Sequence, residues 1–288
     1  MSARLREWNV VSMLEWGTSY FKQRNIPDPR HSIEWLLSEA LQVKRLDLYL
    51  QYDRPLSQDE LNRIRPLVKR RALHEPLQYI IGYTNFMNAR IDVTPDVLIP
   101  RLETEQLVEI ILKEHGPEQS IQALDIGTGS GCIPIALKME RPRWSLKGLD
   151  ISTRALEIAR HNASRNEVDV EFEKGDILEW NAIATDETFN LIVSNPPYVL
   201  PEEKDELEPQ VISYEPHLAL FCEDMDRMYM SIIQFAETRL APEGRLYLEV
   251  HELHAGRILS LFDTSAWNPT LKKDYEGKPR FITATLHT

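Results

Sequence analysis

The chain has 288 residues, of which 42% are hydrophobic and 8% aromatic, and this composition excludes an intrinsically disordered chain. Two cysteines are too few for a disulfide framework, and a net charge of −12 has the wrong sign for direct binding of a long nucleic acid. No apolar run approaches the roughly 20 residues of a membrane helix, and the first ten residues lack the apolar segment of a signal peptide. We therefore expect a cytoplasmic monomer of about two domains.

Residues 1–75 predict a small bundle of helices, because apolar residues recur there at spacings of three and four. The segment Ser57 to Glu60 is typical of a capping box that starts one of these helices. The first 85 residues carry a net charge of +3, whereas the remainder carries −15. The run Lys69-Arg70-Arg71 would suit an acidic or RNA-bearing partner, and a solvated helix face is the plainer explanation of such a run.

From residue 76 to residue 100 the sequence is rich in strand-forming residues and turn formers, including Tyr79-Ile80-Ile81-Gly82 and Ala89 to Val93. This composition predicts a β-hairpin linker over residues 76–100. Over residues 101–288, apolar strand-like runs alternate with helical stretches. This alternation predicts an α/β fold in which helices cover both faces of a parallel sheet. The last two strands flank Glu276-Gly277-Lys278, so we expect them to form an antiparallel hairpin at one edge.

A glycine-rich turn follows the first strand of this predicted sheet, Ile121 to Ile126. The turn reads Gly127-Thr128-Gly129-Ser130-Gly131 and lies at the carboxyl end of a strand, where open α/β sheets bind ligands. Its spacing matches neither the dinucleotide fingerprint nor the phosphate-binding P-loop. Asp125 can hold this turn or accept a hydrogen bond from a ligand amine. Taken alone, the pattern is equally typical of a plain turn between strand and helix.

Two further carboxylates end the next two strands. Asp150 follows Asp125 by 25 residues, which is about where an acidic residue accepts hydrogen bonds from the ribose hydroxyls of a nucleoside. Asp176 can accept from an adenine amine, with Ile177 against the ring, although a turn residue is its ordinary explanation. Three acidic strand ends without a basic residue in the glycine turn suit a sulfonium and an ammonium better than a pyrophosphate. We therefore predict S-adenosyl-L-methionine as the cofactor.

The fourth strand ends in Asn195-Pro196-Pro197-Tyr198, which we predict to be the catalytic and substrate-binding motif. Two consecutive prolines fix φ and remove two donors, so backbone carbonyls remain as acceptors. Together with the side-chain oxygen of Asn195, they can accept both hydrogens of a planar NH₂ group. Such acceptors orient the nitrogen and stabilise the positive charge that develops on it. Tyr198 would pack on the substrate plane. The alternative is a proline-terminated strand with a core tyrosine.

These motifs together resemble the class I methyltransferases that modify planar nitrogens. The segments Pro76 to Gly82 and Val97 to Glu105 resemble more narrowly the family that methylates peptide chain release factors. Tyr214-Glu215-Pro216 and Ala219-Leu220-Phe221 extend the same resemblance, which covers nearly the whole chain. Leu102, the segment Cys222 to Arg227 and the segment His251 to His254 depart from the family's pattern.

The resemblance implies a helical substrate-recognition domain over residues 1–75, a hairpin linker over 76–100 and a Rossmann-like methyltransferase domain over 101–288. It implies methylation of the side-chain amide of the glutamine in the Gly-Gly-Gln motif of class-1 release factors. It also implies that Phe86 and Arg101 line the cofactor and substrate side. The alternatives are a ribosomal-protein glutamine methyltransferase, more distantly an adenine-N6 DNA methyltransferase, and a non-catalytic adenosine-binding protein.

Two residue types carry weaker signals. Cys132 lies at a helix start, and we interpret it as a small core residue rather than a nucleophile. His251 and His254 lie three residues apart, but the sequence offers no second ligand pair at metal-binding spacing. We therefore expect no metal.

Overall fold

The computed structural model describes residues 8–183 and 187–287. Its helices, in chain order, are α1 (Val10–Lys22), α2 (Pro29–Leu41), α3 (Asp47–Leu50), α4 (Gln58–Arg71), α5 (Leu77–Ile81), α6 (Leu102–Glu114), α7 (Cys132–Glu140), α8 (Thr153–Arg165), α9 (Pro209–Tyr214), α10 (His217–Leu220), α11 (Met225–Arg239) and α12 (Ala255–Leu259). Its strands are β1 (Tyr83–Phe86), β2 (Ala89–Asp92), β3 (Gln122–Ile126), β4 (Ser145–Asp150), β5 (Glu171–Lys174), β6 (Phe189–Ser194), β7 (Leu240–Glu249), β8 (Trp267–Lys273) and β9 (Pro279–Leu286).

The described residues divide into two compact units. The first comprises the chain up to Gly82 together with Glu208–Tyr214, and the second comprises Tyr83–Leu207 and the chain from Glu215 onward. Within the described ranges, no helix has both the length and the apolar character needed to cross a bilayer.

The first unit is a bundle of helices, and the predicted N-terminal cap of α4 is present. The Ser57 hydroxyl accepts a hydrogen bond from the Glu60 amide (3.3 Å), and the Glu60 carboxylate accepts one from the Ser57 amide (2.8 Å). This reciprocal pair confirms the predicted capping box. Helices α1 and α2 pack closely, since a Cβ on Gly17 would lie only 2.3 Å from the side chain of Ile33. The unit's core is formed by the buried apolar faces of these helices.

The basic run at the end of α4 belongs largely to the unit's own structure. Arg71 is only 3% exposed, and its guanidinium donates to the Ser32 hydroxyl (3.1 Å) and the Glu75 carbonyl (2.8 Å). Arg70 donates to the Glu75 carboxylate (2.8 Å). Lys69 and Arg70 are exposed, as the plainer explanation of a solvated helix face expects, whereas Arg71 is buried structure and cannot meet a partner.

The segment Tyr79-Ile80-Ile81 forms part of helix α5, and its predicted β character is wrong. Tyr79 and Ile80 are buried in the core, and this burial outweighs the weak strand preference of a short apolar run. Gly82 ends the helix with a φ of +87°, a conformation that favours glycine. The hairpin is therefore shorter than expected and consists of β1 and β2. It is tied to α8, because the Asn162 side chain exchanges hydrogen bonds with the Asp92 backbone (2.9 and 3.0 Å).

The second unit contains a seven-stranded sheet in the order β5-β4-β3-β6-β7-β9-β8. Strands β3 to β7 are parallel, and β8 and β9 form the predicted antiparallel hairpin at the edge. Ile126 pairs with Leu149 on one side and with Ser194 on the other, so β3, β4 and β6 end at the same level. The segments that follow these strands consequently meet at one edge of the sheet, where open α/β sheets bind their ligands.

Candidate active site

A cavity of about 370 Å³ lies at the carboxyl ends of β3, β4 and β6. This volume is within the range of small-ligand sites. The structure brings many of the predicted residues together around it: Gly127, Gly129, Asp150, Asp176, Ile177, Asn195, Pro196 and Pro197. Residues that sequence reasoning did not assign complete the wall, among them Pro95, Val97, Leu98, Leu149, Ile151, Pro216, Leu218, Ala219 and Met228.

The glycines of the turn after β3 serve two different purposes. Gly127 and Gly129 have φ values of +74° and +53°, and a Cβ on either would meet nothing within 4 Å, so the cavity wall stays open there. At Gly131 a Cβ would lie 3.1 Å from that of Ala159 and 3.2 Å from the Ile135 side chain. The first two positions leave room for a ligand, and the third permits close packing of α7 and α8.

Asp125, Thr128 and Ser130 lie in or beneath the glycine turn rather than on the cavity wall. Asp125 is 1% exposed, and its carboxylate lies beside the Thr128 hydroxyl, which hydrogen-bonds to it. Burial raises the pKa of Asp125 to about 7. The Thr128 hydrogen bond opposes that rise. Asp125 acts from beneath the glycine turn and does not contact the cavity itself. The Ser130 carbonyl accepts from the Asn162 amide (2.9 Å).

Asp150 both lines the cavity and holds the glycine turn. One carboxylate oxygen accepts a hydrogen bond from the Gly129 amide (2.8 Å), and the other accepts one from the Ser152 amide (2.8 Å). Burial raises its pKa, and the backbone hydrogen bonds oppose that shift. Each carboxylate oxygen can accept more than one hydrogen bond, so Asp150 retains the capacity to accept from ribose hydroxyls.

Asp176 lies in the segment that follows β5 and also lines the cavity. Its carboxylate accepts a hydrogen bond from the Leu178 amide (2.9 Å) and so starts the 3₁₀ stretch Ile177–Ala182. Ile177 lies beside it on the cavity wall. This pairing of a carboxylate with an aliphatic side chain fits the amine and the face of an adenine ring.

A chain of two buried residues that sequence reasoning missed fixes the orientation of the Asn195 side chain. Its Nδ2 donates a hydrogen bond to Thr104 Oγ1 (3.0 Å), and Thr104 Oγ1 donates one to Glu249 Oε2 (2.7 Å). Thr104 and Glu249 are 2% and 1% exposed, and burial raises the pKa of Glu249 to about 7. The only available signal was the position of Thr104 inside the segment Val97 to Glu105, which resembles the release-factor family.

Besides Asp125, Thr128, Ser130 and Gly131, three further predicted residues, Tyr198, Phe86 and Arg101, do not line the cavity in this structure. Tyr198 is half-buried, and its ring centroid lies 5.7 Å from that of His251. Phe86 is 1% exposed and belongs to the core. Arg101 forms an ion pair with Glu215 (2.6 Å), whose carboxylate also accepts from the Ile99 amide (3.2 Å). Through Glu215, Arg101 supports the start of the segment that contributes Pro216 to the wall.

The cysteines take no part in the site. Both are unpaired and buried, and burial raises the pKa of Cys132 to about 12. A thiol with so high a pKa is a poor nucleophile at neutral pH, which agrees with the interpretation of Cys132 as a core residue.

Known protein families and solved structures resemble this chain in sequence and fold. The PrmC N-terminal domain family matches residues 12–82, and the methyltransferase small domain family matches residues 84–213. The release factor glutamine methyltransferase of Leptospira interrogans is 37% identical over 284 residues, covering 96% of this chain and 98% of its own. That of Flavobacterium psychrophilum is 39% identical over 271 residues, covering 92% and 93%.

The crystal structure of a methyltransferase from Pyrococcus furiosus aligns with a TM-score of 0.50 and 19% identity, covering 78% of this chain and 98% of that chain. This likeness confirms the α/β fold of a class I methyltransferase. The open glycine positions and the two lining carboxylates, Asp150 and Asp176, fit S-adenosyl-L-methionine, which is the cofactor. On full-length similarity to its relatives, the chain belongs to the family of release factor glutamine methyltransferases.

Proposed function

We propose that this chain methylates the side-chain amide nitrogen of the glutamine in the Gly-Gly-Gln motif of class-1 peptide chain release factors. One observation carries the proposal: the amide of Asn195 is fixed in orientation at the wall of the cofactor cavity. Because Thr104 Oγ1 accepts a hydrogen bond from Nδ2, the side-chain oxygen of Asn195 is the atom that can accept a hydrogen bond from a substrate.

The adjacent backbone offers further acceptors. The carbonyl oxygens of Pro196 and Pro197 receive no hydrogen bond from any residue in the described ranges, and both residues line the cavity. Neither residue has an N–H, so this turn is rich in acceptors and poor in donors. A side-chain amide has two N–H donors in one plane. A fixed Asn195 oxygen and one proline carbonyl are complementary to that group.

When bound, S-adenosyl-L-methionine supplies an electrophilic methyl group on a sulfonium. An amide nitrogen is a weak nucleophile because its lone pair is delocalised. Acceptors that hold both N–H bonds fix the direction of approach and stabilise positive charge on the nitrogen as it develops. The nitrogen then loses one proton to solvent and becomes a neutral secondary amide, so no base has to act beforehand.

The test is to incubate the full chain with isotopically labelled S-adenosyl-L-methionine and separate acceptors. These are a class-1 release factor, the same factor with the motif glutamine replaced by glutamate, a set of ribosomal proteins, and DNA. We expect label only in the unaltered release factor, and peptide mass spectrometry should place it on the motif glutamine. Label on a ribosomal protein or on adenine in DNA would assign the function to one of those alternatives instead.

We further propose the division of labour that the sequence predicts. Residues 1–75 would recognise the release factor, residues 76–100 would link, and residues 101–288 would carry the methyltransferase domain. The separate family matches and the excess positive charge of the first part support this division. Charge reversal at two exposed residues, Arg65→Glu and Lys69→Glu, should raise KM for the release factor and leave cofactor affinity unchanged. Arg143→Glu, also exposed but outside this part, is the matched control, and an equal effect there would contradict the proposal.

We place the enzyme in the cytoplasm as a monomer. Two unpaired cysteines, too few for a disulfide framework, are typical of a reducing compartment and support the location. Light scattering coupled to gel filtration should give the mass of one 33.5 kDa chain, and a value near twice that would contradict the monomer.

A further inference from the structure

We propose that Glu203, His251 and His254 form a binding site for one divalent transition-metal ion of the Zn²⁺ type. These three residues, the His–Glu cluster, lie outside the wall of the cofactor cavity. Each contributes one potential ligand atom, and the three atoms lie within 4.8 Å of one another. The sequence did not suggest this site, because Glu203 precedes His251 by 48 positions.

The carboxylate of the cluster is already fixed in place. Glu203 belongs to the 3₁₀ stretch Pro201–Glu206, and its Oε2 accepts a hydrogen bond from the Leu200 amide (2.8 Å). Its other oxygen, Oε1, lies 2.8 Å from Nε2 of His254, the residue immediately before α12. A metal ion would take the place of the proton shared by these two atoms, and the imidazole would then carry its proton on Nδ1.

His251 supplies the observation that favours an ion over a simple hydrogen-bonded pair. Its Nδ1 is buried and has no hydrogen-bond partner among the described residues. A buried ring nitrogen without a partner is costly, and coordination would remove that cost. The ring centroid of His251 lies 5.4 Å from that of His254, whose Nε2 contacts Glu203.

The charges around the cluster permit a cation. Arg280 is a positive charge that acts on His251, and its guanidinium is engaged by Glu252 (3.2 Å) and by Asp274 (3.5 Å). Two imidazoles and one carboxylate are a donor set that suits Zn²⁺, whereas Mg²⁺ and Ca²⁺ prefer oxygen donors alone. Ligand atoms about 2.1 Å from one ion are at most about 4.2 Å apart, so a small rotation of the side chains would close the site.

Such an ion would join two parts of the second unit that flank the catalytic motif. Glu203 lies five positions after Tyr198, and His251 lies two positions after β7 ends at Glu249. The Tyr198 ring packs beside His251, so coordination of His251 would also restrain the last residue of the motif. Binding of an ion at the His–Glu cluster does not depend on which acceptor the enzyme methylates.

The experiment uses the full chain without a histidine tag, stripped of metals by a chelator and dialysed. Titration calorimetry with Zn²⁺ alone should show one saturable ion per chain. Co²⁺ should then give the intense visible bands of a four- or five-coordinate ion without a thiolate charge-transfer band. No saturable Zn²⁺ binding would overturn the proposal, and so would a Co²⁺ spectrum like that of the hydrated ion. A thiolate band would assign the ion to a cysteine and overturn it equally.

Three variants test the ligands individually: Glu203→Gln, His251→Gln and His254→Gln. Each should weaken Zn²⁺ binding by more than roughly tenfold, the lower limit of what loss of even a supporting contact to a metal ligand costs. His161→Gln is the matched control, because His161 is an exposed histidine that pairs with a single carboxylate, that of Asp92 (3.1 Å). Unchanged binding in folded ligand variants, or an equal loss in the control, would refute the site. The Co²⁺ spectrum of the unaltered chain decides the matter if a variant does not fold.

Discussion

The hydroxyl of Thr104 donates to the carboxylate of Glu249 across 2.7 Å, although the two residues are 145 positions apart in the chain. The same hydroxyl oxygen accepts the Nδ2 hydrogen of Asn195 (3.0 Å). Because Thr104 and Glu249 are buried, water cannot replace either partner at low cost. The orientation of the Asn195 amide therefore depends on two residues that do not line the cavity.

Thr104→Val tests this dependence, because valine preserves the shape of threonine and removes the hydroxyl. We expect kcat to fall about tenfold, the equivalent of one neutral hydrogen bond, with cofactor affinity unchanged. Thr104→Ser keeps the hydroxyl and should retain most of the activity. Steady-state kinetics with a release factor, together with calorimetry of the cofactor, separate the two effects. A valine variant as active as the unaltered enzyme would show that Thr104 has no positioning role.

Asn195→Ala removes one acceptor for the substrate amide. We expect turnover to fall on the order of 10² to 10³, which is typical for loss of one group that stabilises a developing charge. Asn195→Asp keeps an acceptor oxygen but loses the hydrogen bond to Thr104, so it should be impaired yet more active than the alanine variant. A folded alanine variant that methylates a release factor at nearly the normal rate would disprove the mechanism.

Asp150→Ala should weaken binding of S-adenosyl-L-methionine by an order of magnitude or more. It removes acceptors for the ribose hydroxyls, each charge-assisted bond being worth about 1.5 to 3 kcal/mol, and it also frees the Gly129 amide. Asp150→Asn retains one acceptor oxygen and should lose less affinity. Calorimetry provides the measurement, with circular dichroism as the check on folding. Equal affinities in all three proteins would rule out the ribose contact.

Gly127→Ala and Gly277→Ala together separate the effect of backbone strain from the effect of a side chain in the cavity. Gly127 has a φ of +74° with open space around an added Cβ, and Gly277, in the β8–β9 turn, has a φ of +84° and is equally open. Alanine at either position should cost similar stability, since each forces a side chain into the left-handed region. Only Gly127→Ala should reduce cofactor affinity, because only Gly127 lines the cavity. Thermal denaturation with calorimetry distinguishes these outcomes, and equal cofactor affinity in the two variants would contradict the placement of the ligand at the glycine turn.

The buried carboxyl groups predict how stability depends on pH. Burial raises the pKa of Glu249 from 4.5 to about 7, so between these values the folded chain binds more protons than the unfolded chain. The free energy of unfolding should therefore fall as pH rises through this range, by up to about 1.4 kcal/mol per pH unit for this group. Asp125 contributes in the same direction.

Urea denaturation between about pH 5 and pH 7 measures this slope. Glu249→Gln keeps an acceptor for Thr104 and cannot ionise, so its slope should be shallower than that of the unaltered chain. Glu237→Gln, which removes an exposed carboxylate from α11, serves as the control. An identical slope in Glu249→Gln and the unaltered chain would show that Glu249 does not titrate in this range.

Local patterns were enough to predict the strands that build the site. The glycine turn and the strand-end carboxylates lie within short stretches of sequence, and parallel strands bring their carboxyl ends to one edge. The same reasoning was wrong at Tyr79-Ile80-Ile81, because a short apolar run cannot distinguish a buried helix from a strand. It also treated Arg71 as a surface residue, because neither its burial nor its hydrogen bonds to Ser32, Glu75 and Gln210 can be deduced from charge alone.

Thr104 and Glu249 could not be predicted from periodicity or spacing, because their contact joins distant parts of the chain. Polar residues that are buried and satisfied by each other leave no local pattern. The His–Glu cluster was overlooked for the same reason, since its third member comes from a separate segment.

The hydrogen bond from the Gly129 amide to Asp150 has a consequence for the speed of ligand capture. The glycine turn is fastened in its binding conformation by the neighbouring strand end, independently of any ligand. Little conformational entropy then remains to be lost when adenosine arrives, so affinity is not diminished by ordering of the turn. Association should resemble docking into a rigid receptor, with a rate limited by diffusion and orientation rather than by a slow isomerisation of the protein.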